Sequence, residues 1–218
     1  MKKNGFTLAE VLITLAIIGV VASLTLPSLM TNTAEQQAVT AFRKAVNTLS
    51  EVGQMSAAVD GFDYGGLSAK QTPDATSATV DDNGVVKQTL WAMMANRAQV
   101  DRTMSGSSKI SSGGCASNTT QIFFMDGTVL CYTDAVTNAN SDNVIHGYID
   151  TNGVKGPNSN FTCTTATCKP SERKVGDQFP ITLKGSVVYP GYITFSNNKP
   201  TDGGTANENY AARWAMRK

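Results

Sequence analysis

Apolar and polar positions are shared unevenly along the chain. Between Phe6 and Met30 the one ionisable side chain is Glu10, and the run FTLAEVLITLAIIGVVASLTLPSLM is more apolar than anything after it. As a helix this run would span about 37 Å at about 1.5 Å per residue, against about 30 Å for a bilayer core. It is long enough to cross a membrane once. A different pattern follows over 34–59: Val39, Phe42, Val46 and Leu49 recur at spacings that mark one helical face. Gln37, Arg43, Lys44, Asn47 and Glu51 occupy the other face. Together the two patterns predict one helix from about Phe6 to Val59, bent or loosened near Gly19 and Pro27. Its second half would pack its apolar face on a head.

Residues 61–85 are rich in Gly, Asp, Ser and Thr and read as a surface connection. VKQTLWAMMANRA (86–98) predicts a short helix with Leu90, Trp91 and Met94 inward, and SGSSKISSGG (105–114) a loop. QIFFM and TVLCY flank Asp126-Gly127, the strongest short hairpin signal in the chain. NVIHGYID (143–150) reads as a strand. DQFPITL and SVVYP, joined by Lys184-Gly185, read as a second hairpin, with GYITFS after it. The expected fold is therefore α+β, a long N-terminal helix packed on an antiparallel sheet of four to six strands, without an internal repeat.

Composition narrows the functional classes. The 218 residues carry 18 Lys plus Arg and 17 Asp plus Glu, a formal charge of +1. That balance excludes a charged disordered tail and disfavours a nucleic-acid partner on electrostatic grounds: no strongly basic excess exists to hold phosphates. A single histidine, His146, rules out a multi-histidine metal site. The four cysteines, Cys115, Cys131, Cys163 and Cys168, lack the C-x2-C spacing of zinc sites. An even count beside a membrane-type N-terminus reads as two disulfides in an oxidising compartment. Three connectivities exist. The hairpin favours Cys115–Cys131, because its open end brings them together, and Cys163–Cys168 then closes a small loop.

Lys2 and Lys3 precede the apolar run, and the positive-inside rule puts them in the cytoplasm and the head beyond it. A removable secretory signal or a plain single-pass anchor would each leave Glu10 unexplained, since an intramembrane acid is a functional residue by default. Gly5-Phe6-Thr7-Leu8-Ala9-Glu10, followed by the long apolar run, resembles the class III signal of type IV pilins and type II secretion pseudopilins. The resemblance covers about the first thirty residues firmly. It departs from the family at Ala9, where a bulkier aliphatic is common.

The resemblance implies that a membrane-embedded prepilin peptidase cuts after Gly5 and methylates Phe6, and that Glu10 is the acid at the fifth mature position. It implies a pilin-like fold: a leader at 1–5, a transmembrane and assembly helix at 6–30, an amphipathic continuation at 31–60 and a β-rich head at 61–218. The implied partners are other copies or related pilin subunits and an inner-membrane assembly machinery. The implied location is the bacterial inner membrane, head outside the cytoplasm, and then an extracellular or periplasmic filament. Cleavage would remove Lys2 and Lys3, leaving 18 − 2 = 16 basic against 17 acidic side chains, a charge of −1. A carboxylate in apolar surroundings needs a partner. The Phe6 amine of a neighbouring subunit is the natural one, and the pairing would set an axial stagger between helices.

In the head, Asp150-Thr-Asn152-Gly153-Val-Lys-Gly156-Pro157-Asn158 is similar to DxNGxxGPN stretches of pilin-like heads. Asp150 and Asn152 oxygens two residues apart suit a calcium ion. The same residues equally suit an Asx-rich turn satisfied by its own backbone. His146 has no nucleophile motif around it and reads as an ordinary strand residue. The C-terminal ENYAARWAMRK interleaves Arg213, Arg217 and Lys218 with Tyr210 and Trp214, a pattern for a nucleic-acid strand or for a solvated helix packed through its Trp. No phosphate loop and no catalytic constellation occur, so the expected role is a structural filament subunit and not an enzyme. The alternative is a minor or tip pilin whose head binds a surface or DNA.

Overall fold

Helix α1 (Leu8–Val59, 52 residues) enters two compact units, Met1–Gln37 and Ala38–Lys218. The computed structural model describes residues 7–67, 79–80, 86–87, 90–101, 109–116, 120–132, 137–139, 142–197 and 199–218. Most of the connection expected at 61–85 and the start of the loop at 105–114 lie outside them.

In the first unit, Leu8–Leu26 has a mean hydropathy of 2.3 over 19 residues. At about 1.5 Å per residue it spans about 28 Å, the thickness of a bilayer core. Its few hydroxyls are satisfied within the helix: Thr14 Oγ1 donates to the Val11 carbonyl at 2.9 Å, Ser23 Oγ to Val20 at 2.8 Å and Thr25 Oγ1 to Val21 at 3.0 Å. Such back-bonding is what hydrocarbon demands of a polar group. The helix runs on through Gly19 and Pro27.

In the second unit the chain continues through β1 (Thr79–Val80), β2 (Val86–Lys87), α2 (Leu90–Arg97), β3 (Thr120–Phe123), β4 (Val129–Tyr132), β5 (Thr137–Ala139) and β6 (Asp142–Asp150). Then come β7 (Thr162–Cys163), β8 (Arg173–Lys174), β9 (Gln178–Lys184), β10 (Val187–Pro190), β11 (Ile193–Ser196), β12 (Lys199–Asp202) and α3 (Ala206–Arg217). The main sheet is antiparallel, ordered β10-β9-β6-β4-β3, with β5 on the end of β6. The β3–β4 hairpin turns at Asp126-Gly127, where Gly127 takes φ +89° and the Asp126 carboxylate accepts from Thr128 N at 3.0 Å.

Val39, Phe42, Val46 and Leu49 of α1 are all buried. Phe42 stacks on Phe179 of β9 (centroids 4.5 Å apart), Phe179 on Phe161 (5.1 Å) and Phe161 on Trp214 of α3 (5.7 Å). The Arg173 guanidinium lies 4.1 Å from the Trp214 ring, and its Nε donates to the Cys168 carbonyl at 2.8 Å. A continuous stack thus ties α1, the sheet, α3 and the small disulfide loop. Stacked aromatics of this kind contribute about 0.5–1.5 kcal/mol per pair beyond their burial.

Three features differ from the sequence expectation. Arg43, placed on the polar face, is half-buried, because its Nε donates at 2.6 Å to the Ala215 carbonyl near the C-terminus of α3. A cation there meets unsatisfied carbonyls and the negative end of the helix dipole. The strand expected at 191–196 forms, but it pairs with β12 and stays out of the main sheet. The Asn209 side chain holds the crossing point, accepting from Tyr192 N at 2.6 Å and donating to the Tyr192 and Gly203 carbonyls at 3.2 and 2.7 Å. Met93 joins Leu90, Trp91 and Met94 in the core, so α2 is buried on more of its circumference than expected.

Disulfides join Cys115 to Cys131 and Cys163 to Cys168, with Cα atoms 5.3 and 5.2 Å apart. Their sequence separations are 16 and 5. Chain entropy alone assigns about 3 kcal/mol to the longer loop and about 2 kcal/mol to the shorter. Denaturant melts of the paired Cys→Ala variants should therefore show the larger loss for Cys115/Cys131. The reverse order would mean that contacts of the short loop, and not chain entropy, dominate.

Candidate functional site

At the start of α1, Thr7 and Glu10 form a reciprocal cap. Thr7 N and Thr7 Oγ1 each donate to Glu10 Oε2 at 2.8 Å, and Glu10 N donates to Thr7 Oγ1 at 3.3 Å. This is the S/T-x-x-E capping box, which satisfies two of the donors a helix start leaves orphaned. The sequence reading missed it, although T-L-A-E is legible as that signature. Both bonds to the carboxylate fall on Oε2, so its second oxygen is not used by the cap. Gly5 and Phe6, the expected cleavage and methylation positions, lie outside the described residues. Around the cap the helix presents exposed apolar side chains on every side, Leu8, Val11, Leu12, Ile13 and Leu15 among them. So large an apolar surface requires a membrane or other apolar helices.

The head candidates are drawn into its internal bonding, save the buried Asn152 Oδ1, which has no hydrogen-bond partner among the described residues. Asp150, fully buried at the end of β6, accepts from Asn152 N at 3.1 Å and Gly153 N at 2.8 Å through Oδ1, and from Gln178 Nε2 at 2.9 Å through Oδ2. Gly153 takes φ +71°, the left-handed conformation this turn needs. Amide donors occupy both carboxylate oxygens, the arrangement of an Asx turn. Asn152 instead donates from Nδ2 to the Gly156 carbonyl at 3.3 Å. Among the described residues no group of three or more His, Cys, Asp or Glu converges as a metal site.

His146 stacks on Tyr192 at 3.8 Å and contacts Thr182 Oγ1 through Nδ1 at 3.2 Å. The Thr182 hydroxyl donates its own proton to the Gly191 carbonyl at 2.9 Å, so His146 Nδ1–H is the donor in this contact. On α3, Arg213 pairs with Asp202, Lys218 lies 5.1 Å from the Trp214 ring, and Trp214 is stacked on Phe161. The C-terminal basic–aromatic pattern is thus that of a packed helix.

An apolar helix able to span a membrane, a cap around its one carboxylate and an antiparallel head behind a second helical layer define a pilin-like α+β architecture. Residues 1–26 match the family model described as the prokaryotic N-terminal methylation motif. The motif indicates a type IV pilin-like precursor. It implies processing by prepilin peptidase, assembly with other pilin subunits and a structural role. No curated protein and no solved structure matches the chain.

Two buried groups titrate against each other. Burial, with Asp177 nearby, raises the Asp150 carboxyl to about 6, although its amide donors oppose the shift. Burial lowers the His146 imidazole to about 4. A carboxyl raised on folding gains stability for the head as pH falls from about 6 towards 4. An imidazole lowered on folding loses stability between about 6.5 and 4. The two effects run in opposite directions over the same pH range and so offset each other. Thermal melts from pH 7 to 4.5 should show an acid-labile Asp150→Asn and an acid-stabilised His146→Phe, on either side of a flatter wild type. Identical profiles for all three would refute this balance.

Proposed function

We propose that the mature chain is a structural subunit of a type IV pilus-like or type II secretion pseudopilus filament. In this reading it waits in the bacterial inner membrane with its head outside the cytoplasm and polymerises through α1. The observation that carries the reading is Glu10, the one ionisable side chain in a span of mean hydropathy 2.3. In the free subunit the Thr7 cap supplies donors to Oε2. A cleaved and methylated Phe6 amine of a neighbour would bring a charged donor to the other oxygen. Charge-assisted bonds are roughly twice as strong as neutral ones. Assembly would then add, to a cap that merely satisfies the carboxylate, an ion pair that neutralises it. Lys2 and Lys3 would be lost with the leader, so only the processed chain could enter the apolar filament core at this end.

Mass spectrometry should find a mature chain beginning at N-methylated Phe6. A terminus after Ala22 or Ser23 would instead mark an ordinary signal peptide. Glu10→Gln should leave cleavage and membrane insertion intact, since it removes a charge from hydrocarbon. Filament yield should collapse, because an uncompensated buried partner costs roughly 3–5 kcal/mol at every subunit added. Glu10→Asp should be intermediate. The readout is a shear assay beside an immunoblot of the membrane pool. Normal filaments from the Gln variant, at equal subunit pools, would sink the assembly role.

A further inference from the structure

A cleft of about 470 Å³ opens on the head between β10, the β11–β12 hairpin and α3. That volume lies within the roughly 300–1,000 Å³ usual for small-molecule sites. Tyr189, Pro190 and Pro200 give it apolar ring surfaces, and Ile193, Thr201, Asp202 and Arg213 line the remainder. Tyr189 is held edge-on by Phe195, with centroids 5.4 Å apart, and Lys184 Nζ lies 4.4 Å from the Phe195 ring. Arg213 meets Asp202 through both Nη atoms, Nη1 donating to Oδ2 at 3.1 Å and Nη2 to Oδ1. We propose that this cleft binds a neutral sugar ring.

The argument is one of complementarity. A pyranose has an apolar C–H face and a rim of hydroxyls that each donate and accept. The tyrosine and proline rings suit the face. The Asp202–Arg213 pair suits the rim: a guanidinium has five N–H donors and a carboxylate about four acceptor sites, and a two-bond pair uses only two of each. Unused donors and acceptors remain side by side, spaced for adjacent hydroxyls, and the pair need not break. A charged ligand would have to split it. An extended peptide is disfavoured too, because β12 presents Pro200, which lacks the N–H a strand partner needs. The inference does not rest on the filament role, since the cleft lies within Ala38–Lys218 and involves neither Thr7 nor Glu10.

The test is saturation-transfer NMR on the full mature chain in phosphocholine micelles, which carry no sugar of their own. The probes are the methyl glycosides of glucose, galactose, mannose and N-acetylglucosamine. At least one should receive saturation, strongest on its ring C–H protons. Tyr189→Phe should keep it. Tyr189→Ala and Asp202→Asn should each weaken binding about tenfold, the effect of losing about 1.4 kcal/mol of contact. Asp202 is exposed, so its variant is expected to fold, and its melting curve checks this if Tyr189→Ala does not. Saturation of none of the four sugars, or saturation unchanged in folded Asp202→Asn, overturns the proposal.

Discussion

A carboxylate in hydrocarbon must be supplied with donors, and that constraint organises the N-terminal unit. Every other polar side chain in the Leu8–Leu26 span is a hydroxyl, and Thr14, Ser23 and Thr25 return their protons to carbonyls one turn back. Glu10 has no proton to return when ionised. It depends on donors supplied to it, and the chain provides them from Thr7, the residue that caps the helix. The cap serves the backbone and the side chain together: it ends the helix cleanly and keeps the acid tolerable. Because the cap lies beside Gly5 and Phe6, the expected cleavage position, processing there and the satisfaction of Glu10 would concern the same few atoms. An acid placed at mid-helix would lack both the cap and access to a terminal amine.

The head solves a different problem. Outside the central strands β6 and β9 its strands are short, and β7 and β8 have two residues each. Strands of that length do not hold a core by ladder bonds alone. The structure compensates by running its aromatic stack across elements and by tying loops covalently. Gln121, fully buried on β3, accepts from Lys109 N and Ile110 N, both at 3.1 Å, and donates to the Ile110 carbonyl at 2.6 Å and the Cys115 carbonyl at 3.2 Å. One amide side chain thus fixes the segment that the Cys115–Cys131 bridge anchors at its far end.

What the sequence revealed follows from where its signals are periodic or local. The apolar span, the Val39–Phe42–Val46–Leu49 face and the Asp126-Gly127 turn were legible because each needs only a few neighbouring residues. The cysteine pairing followed from the hairpin, since register Gln121↔Cys131 sets Cys131 opposite the strand that Cys115 enters. The Thr7–Glu10 cap was equally local and was overlooked only because Glu10 was read for its charge. The Arg43–Ala215 bond, the Asn209 clamp on Tyr192 and the Asp202–Arg213 pair are of another kind. Arg43 and Ala215 are 172 residues apart, and no spacing rule connects them. The cleft is invisible for the same reason, because its walls come from three elements that meet only when folded.

Strand β9 shows how far a single alternation carries the head. Phe179, Ile181 and Leu183 point into the main core, where Phe179 takes the central place in the aromatic stack. Gln178 and Thr182, on the other parity, are also fully buried but wholly engaged in polar bonds. Gln178 Nε2 donates to Asp150 at 2.9 Å and to the Ser112 carbonyl at 3.2 Å, and Thr182 Oγ1 joins His146, Gly191 and Ile193. A strand buried on both faces would ordinarily read as continuously apolar. Here the second face is polar because it must grip loops and a crossing hairpin, and loops offer backbone N–H and C=O groups that apolar side chains cannot satisfy. Asp150 and His146, whose titrations burial displaces in opposite directions, are both partners of this polar face. The same strand that holds the apolar core together therefore also fixes the loops and sets the opposing acid responses of the head.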